Sequence, residues 1–445
     1  MSTRVIERTR GFTREAAVEL SHLLGEPEWL RERRLAAWEV YERTPMPSRT
    51  DEEWRRTDIR RLPIDAVWPF AGLGQRVSSP EALPAALFET LGDAALRSGL
   101  LVQVDGSVVY TQLESELAQR GVIFTDLLTA AREVPELVQR FFMTEAVTVQ
   151  DNKFAALHGA FWSGGTFLYV PEGVEIALPL RSFVWAETPG AAIFAHTLLI
   201  AEPGASVVLI DTWASPTVDE PVIASNVVEL IVQEGAQVRY IQLQDWGRSV
   251  WNFTTQRGLL HQDAVLNTLN VSLGSRLSKA FIASNLVGPG ATAEMLGLYF
   301  ADDAQHLDHQ TRQWHVAPYA TSDLLYKGAL KDRARTVFSG LIKVFPHAQR
   351  TDAYQANRNL ILSSTARADT IPNLEIGAND VRCTHGATVG QVEEEYIFYL
   401  MSRGISRPEA VKLIVDGFFD EVIERVPVNE VQETVRAAIA RKIGL

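Results

Sequence analysis

The 445-residue chain holds a single cysteine, Cys383, which excludes an intrachain disulfide and any cysteine-rich metal cluster built by this chain alone. A run of about 18 apolar residues is missing, so no segment is expected to span a bilayer. The stretch Met1 to Arg14 is polar and mixed in charge, without the apolar core of a secretory signal. Basic residues are the minority. The 42 Lys and Arg against 55 Asp and Glu leave a formal charge of −13, which argues against nucleic acid or an anionic membrane as the main partner. Also missing are a Gly-x-x-x-x-Gly-Lys-Ser/Thr phosphate loop, so ATP hydrolysis is not expected of this chain, and a Gly-x-Ser-x-Gly nucleophile elbow. These absences suit a cytoplasmic protein of a bacterial or organellar cytosol. What is present, 46 % hydrophobic and 22 % charged residues, is the make-up of a globular protein whose length calls for two or three structural units.

Three regions of different character follow one another. Residues 1–150 read as an α-rich N-terminal domain. Helical spacing of apolar residues runs from about Arg10 to Glu42, Asp51 to Trp54 restarts a helix with acidic residues in its first turn, and Pro80 to Arg97 and Thr125 to Phe142 read as helices around a strand, Leu100 to Tyr110. Residues 151–390 are dominated by short β-branched and aromatic runs. A weak unit recurs there with turn residues at Gly173, Gly204, Gly235, Asp263 and Gly290, at spacings of 31, 31, 28 and 27 residues, the range in which repeats mean stacked architectures. Later turns at His347, Ser364 and Asn379 fit half-coils of the same period. Propeller blades need about 40 residues, and leucine-rich repeats need a Leu/Asn pattern that is absent. A parallel β-helix with two strands per coil is the economical solution. The alternative, an antiparallel sandwich, calls for two-residue Asn-Gly or Asp-Gly hairpins, which this region lacks. Residues 391–445 return to helix: Glu393 to Met401 stopped by Gly404, a second opened by a Ser406…Glu409 capping box, and a last from Asn429 to Ile443. Helical domains at both termini would cover the open ends of a solenoid. The fold expected is therefore mostly β, a parallel β-helix flanked by α-helical domains.

Few residues look chemical. His306-Leu-Asp-His309 resembles a metal pair, but positions three apart on a strand face opposite ways, and turn or surface histidines explain it as well; His347 beside Pro346 is read the same way. Cys383-Thr-His385 is sharper. On a strand the two side chains share one face about 7 Å apart, and a thiolate with an imidazole suits a soft or borderline metal such as iron. Two ligands do not complete a site, so the rest must come from another chain or from water. The bland alternative is a small buried Cys383 and a satisfied edge histidine.

Longer motifs carry a resemblance. Ala353-Tyr-Gln-Ala-Asn-Arg-Asn-Leu360, Ala366-Arg-Ala-Asp-Thr-Ile-Pro372, Leu374-Glu-Ile376, Cys383 to Gln391, Asp51 to Asp58, Asp308-His-Gln-Thr311, Ser322 to Gly328, Phe338-Ser-Gly340 and Phe398 to Ile405 together resemble the SufB/SufD family. The likeness covers nearly the whole chain and is weakest before Asp51 and from Gly74 to Gln150. It implies a right-handed parallel β-helix flanked by helical domains, and a complex of one SufB, one SufD and two copies of the ATPase SufC that builds nascent iron–sulfur clusters. SufB-type chains carry a sulfur-accepting cysteine where this chain has Ala366, and a glutamate where it has Gly386. The resemblance is therefore to the SufD type, a noncatalytic scaffold. It further implies that Cys383 and His385 lie at a SufB–SufD interface formed by the β-helix edge, as metal ligands completed by SufB around iron or a nascent cluster. No cofactor is implied as stably bound by this chain alone. The segment Glu393 to Arg425 matches the region that docks SufC, with Tyr396, Phe398, Val411, Ile414, Phe418 and Phe419 as candidates. A homodimer in isolation, a SufB-like or purely structural adaptor, and a carbohydrate-active β-helix enzyme are the rival expectations. The last needs carboxylates clustered on one solenoid face, and the acids here sit mainly in turns.

Overall fold

The turn residues of the repeat are the corners of a coil. In the computed structural model, which describes residues 10–71 and 74–444, Gly173, Gly204, Gly235, Asp263 and Gly290 all have positive φ, between 53° and 73°. Glycine adopts this left-handed conformation freely and Asp tolerates it. Tyr319 and Arg350, at 62° and 59°, continue the series, although their residue types do not announce it. Each corner is tied to the next. The backbone N–H of Gly173, Gly204, Gly235 and Asp263 donates to the carbonyl of Pro203, Glu234, Gln262 and Pro289, each at 2.9 Å, and Arg350 N–H reaches Asp380 O at 2.6 Å. The polar stretch up to residue 9, read above for targeting, lies outside the described residues.

Between the corners run two ten-stranded sheets. In the first, parallel strands stack from Leu180–Trp185 through Ser206–Ala214, Gln237–Asp245, Val265–Ser272, Thr292–Ala301, Thr321–Leu330 and Asp352–Ile361 to Arg382–Gln391. In the second they stack from Gly164–Val170 through Ala195–Ala201, Val222–Val232, Val250–Leu260, Leu277–Leu286, His306–His315 and Arg335–Val344 to Arg367–Ile376. This is a parallel β-solenoid of about eight coils, as the turn spacing predicts, and not a sandwich. Side chains two apart on each strand fill the lumen. There Tyr326 lies over Gly297 and Tyr299 over Gly328, their partners in the neighbouring coil, so each ring occupies the volume a Cβ would need. Gly328→Ala is expected to cost about 1–3 kcal/mol in urea unfolding; an unchanged midpoint would show that the ring has room to move.

Several N-terminal expectations are corrected. The helix predicted from Asp51 is a single 3-10 turn, Glu52–Trp54. Pro80 to Arg97 is broken into short turns because Pro84 caps one and Gly92 takes φ 69°. The stretch Leu100 to Tyr110 is a hairpin, Gly99–Val104 and Ser107–Leu113, turning at Asp105-Gly106 with both φ positive, the two-residue Asp-Gly signal. Its first strand pairs in parallel with Leu180–Trp185, and Ile123–Asp126 pairs antiparallel with Gly164–Val170. The first 150 residues thus extend and close the N-terminal edge of both sheets.

Both helical regions lie along the flanks. Helices Arg14–Leu24, Glu28–Arg43 and Lys153–Phe161 share one apolar cluster with the second sheet, where the Phe154 and Phe253 rings stack 3.7 Å apart. At the other terminus Glu394–Ser402 ends at Gly404, and the Ser406–Glu409 capping box opens Arg407–Ile423. That helix and Asn429–Ile443 press Val415, Phe419, Val422 and Ile439 onto Ile210, Ile241, Leu269 and Leu298 of the first sheet. The expectation that the C-terminal helices seal the solenoid's end is therefore wrong. The outer face of the first sheet is apolar and takes them instead, leaving the end open. No helix of the described residues is long and apolar enough to cross a membrane.

Candidate functional site at the open end of the solenoid

The last strand of each sheet, Arg382–Gln391 and Arg367–Ile376, has no partner on its outer side among the described residues. Each therefore presents about ten residues of half-unpaired backbone, a template for another chain. Register fixes which side chains face the lumen. Cys383 stands beside Ala353, His385 beside Gln355, Ala387 beside Asn357 and Val389 beside Asn359. These neighbours are buried, and Asn357 and Asn359 hydrogen-bond the interior Tyr299 hydroxyl at 2.9 and 2.7 Å. Across the lumen Thr370, Pro372, Leu374 and Ile376 continue the column of Phe338, Gly340, Ile342 and Val344. No further coil covers this last layer, so its inward residues meet solvent: His385 is exposed, Cys383 half-buried, and Val389 and Ile376 are 47 % and 41 % exposed.

Cys383 and His385 thus share the lumen face at the mouth. The thiol packs with Ile342, Val344, Ala348 and Ala353. Burial, and then the Asp352 carboxylate, push its pKa up, so in the isolated chain it is a thiol, and any cation binding there would have to displace its proton. Among the described residues no three His, Cys, Asp or Glu side chains converge to hold a metal; this chain offers two donors and an open side. Gly386 and Gly390 fall on the opposite, outward face of the strand, where a Cβ at Gly386 would meet the Tyr354 hydroxyl at 3.7 Å and one at Gly390 would meet nothing. Ala366 sits half-buried in the turn before Arg367–Ile376, its N–H on Ser363 O at 3.0 Å.

Other singled-out residues are dispersed. His306 and His309 face opposite ways, as period two requires. The first points outward to the Thr57 hydroxyl at 2.9 Å, the second inward to Ser272 at 3.0 Å with its ring on Tyr299. His347 is exposed at a corner. On the C-terminal helices Tyr396 and Phe398 are 58 % and 73 % exposed, alongside Tyr399, Met401 and Leu413, which the sequence reading passed over. Val411 and Ile414 are half-buried. Phe418 is half-buried with Lys327 Nζ 4.9 Å from its ring, and Phe419 is sealed in the core beneath it. Helical period alone does not separate the exposed aromatics from the buried one, because both faces of this segment carry apolar residues.

Comparison with known proteins places this geometry among relatives. The family model described as SUF system FeS cluster assembly, SufBD core domain, matches residues 183–418, and that of the SufBD protein N-terminal region matches residues 21–181. An iron–sulfur cluster assembly SufBD family protein of Staphylococcus epidermidis is 32 % identical over 440 residues, covering 97 % of this chain and 93 % of the relative. Counterparts in Staphylococcus saprophyticus and Staphylococcus aureus are 32 % and 31 % identical over the same span. The core-domain match includes Cys383, His385, the helix Glu394–Ser402 and the first part of Arg407–Ile423.

Proposed function

This chain belongs to the SufBD family of iron–sulfur cluster assembly proteins, and from that premise we propose that it is a SufD-type, noncatalytic scaffold subunit of a cytoplasmic SufB–SufC–SufD complex. The observation that carries the reading is the open rim: two flush, unpaired parallel strands around a lumen mouth in which Cys383 and His385 wait for further donors. A sister solenoid pairing its own edge strands there satisfies the backbone groups and brings the missing ligands, so that iron or a nascent cluster is held as cargo between the two chains. Ala366 supports the SufD type, since an alanine carries no persulfide. SufC supplies ATP hydrolysis and docks on the C-terminal helices, where Tyr396 and Phe398 are the exposed anchors. Its ATP-driven dimerisation pulls on those helices and shifts the rim. Nucleic acid and membrane play no part in this reading, and a homodimer through the same rim is its form in the absence of SufB.

Two variants test it with the tagged chain co-expressed with SufB and SufC. Val389→Glu places a charge in the lumen mouth at an exposed position, so the thermal midpoint stays while recovery of SufB falls at least about tenfold. His385→Ala keeps the complex and lowers the rate of cluster assembly. Wild-type assembly by His385→Ala removes the ligand role and leaves a structural adaptor. Undiminished SufB recovery with Val389→Glu removes the rim as the interface.

A further inference from the structure

Far from the rim, three successive corners of the solenoid meet the N-terminal segment around a cavity of about 410 Å³. Its walls carry three arginines, Arg61, Arg248 and Arg276, with Thr217, Ser249 and the edge of Trp251. Arg248 and Arg276 stand one coil apart in sequence, so corner stacking brings both to the wall of the same pocket. Arg276 lies over the Trp251 ring at 5.6 Å, which holds its planar fork while leaving its donors free. Arg61 and Arg276 are exposed, and among the described residues neither makes an ion pair. Arg248 gives one guanidinium nitrogen to Asp302, but that carboxylate is shared with Lys442 Nζ at 2.9 Å. Its Nη1 is buried without a hydrogen-bond partner.

The acids of the pocket do not cancel this charge. Of the two that line it, Glu220 is engaged by Arg10 at 2.7 Å; with Arg248 paired to Asp302, Asp219 stands against Arg61 and Arg276. On a chain of net charge −13 such a surplus is a local feature that the overall composition does not supply. Guanidinium forks match phosphate oxygens two at a time, and the volume falls within the roughly 300–1,000 Å³ of small-molecule sites. We propose that this corner pocket binds a small anion bearing a pyrophosphate group. Arg61 and Arg276 clamp it from two sides, and Arg248, which also lines the pocket, adds a third positive charge. The site is independent of the rim and of any metal there.

Isothermal titration of the full chain with inorganic pyrophosphate, and separately with ADP, tests the site and distinguishes the free anion from a nucleotide as its source. Saturable binding is expected, weakened about ten- to a hundredfold per guanidinium removed in Arg61→Gln and Arg276→Gln. Both changes are on exposed side chains, so the ligand-free thermal midpoint should match the wild type. Tighter binding of ADP than of pyrophosphate identifies a nucleotide; the reverse order identifies the free anion. No saturable binding of either probe, equal binding by the Arg61→Gln/Arg276→Gln double variant, or an equal response to sulfate at matched ionic strength overturns the proposal.

Discussion

Lys279→Ala is expected to lower the stability of the protein by about 3–5 kcal/mol in urea unfolding, the cost of leaving one charge of a buried pair unmatched. Lys279 and Asp308 lie on the outer face of the second sheet, both side chains fully buried, with Nζ 2.6 Å from Oδ2. The lysine also donates to Glu53 O at 2.7 Å and sits 4.8 Å from the Trp54 ring. The carboxylate accepts further from the Thr57 hydroxyl and, at 2.7 Å, from Gln310. Burial pulls the lysine below its ordinary range, with Asp308 only partly restoring it. At Asp308 burial is the largest influence and acts upward, but Lys279, His306 and the Thr57 hydroxyl together outweigh it and hold the carboxyl below its usual value. Three donors converging on one carboxyl favour the ionised pair. The pair also helps fasten the Asp51–Asp58 segment, together with buried Trp54, so Lys279→Ala should speed native-state trypsin cleavage after the surface residues Arg55 and Arg56. Removing both charges, in Lys279→Met with Asp308→Asn, is expected to recover more than half of the loss. A single variant as stable as the wild type, or a double variant no better than the single one, would refute this account.

A second large effect concerns Glu229 and pH. His158 Nδ1 lies 2.7 Å from Ser225 O and must donate to it, so its Nε2 accepts from His196 Nδ1 at 3.0 Å. His196 Nε2 then faces Glu229 Oε1 at 3.2 Å, and one proton has to sit between them. The carboxyl also receives the backbone N–H groups of Met143 at 2.7 Å and Val147 at 3.0 Å, clamping that loop onto the solenoid. Burial raises Glu229 to about 8 and lowers His196 to about 3, placing the proton on the carboxyl. Arg257 and Asp151, paired 2.9 Å apart on the same face, act on Glu229 in opposite senses.

The sign follows from counting protons. Between pH 4.5 and 6.5 the unfolded chain carries one proton on the histidine and the folded chain one on the glutamate, so this pair contributes no slope. Above pH 6.5 the unfolded histidine releases its proton while the folded pair keeps it up to about 8, and stability falls by at most about 1.4 kcal/mol per pH unit. Below pH 6.5, His158, also neutral by burial, makes stability fall as pH drops. Glu229→Gln supplies its own N–H toward His196, so the fall between pH 6.5 and 8 should vanish. Glu229→Ala, which orphans two buried N–H groups and a histidine, should lose about 3 kcal/mol or more. An undiminished alkaline slope in Glu229→Gln would place the proton elsewhere.

Much of the fold was legible. Corner residues were readable because a left-handed turn narrows the choice to Gly or Asp, and their spacing is the coil length. Tyr319 and Arg350 escaped notice because other residues occupy the same conformation once stacking imposes it. The rim pair was legible as two donors on one face, and the helix caps as local hydrogen-bond patterns. The arginine pocket was not, since Arg61, Arg248 and Arg276 belong to three segments with no common motif.

Local chemistry written along the chain thus determined the corner turns, the strand alternation, the C-terminal helix boundaries and the placing of Cys383 and His385 on one face. Only the tertiary structure decided that their face is the lumen, that the C-terminal helices lie on the flank, and that Phe419 is core while Phe398 is bare. The reason is that a solenoid flanked by helices buries both faces of most strands. Apolar patterning then cannot say which side is in, and that is settled by which surfaces find cover and which are left at the end of the stack.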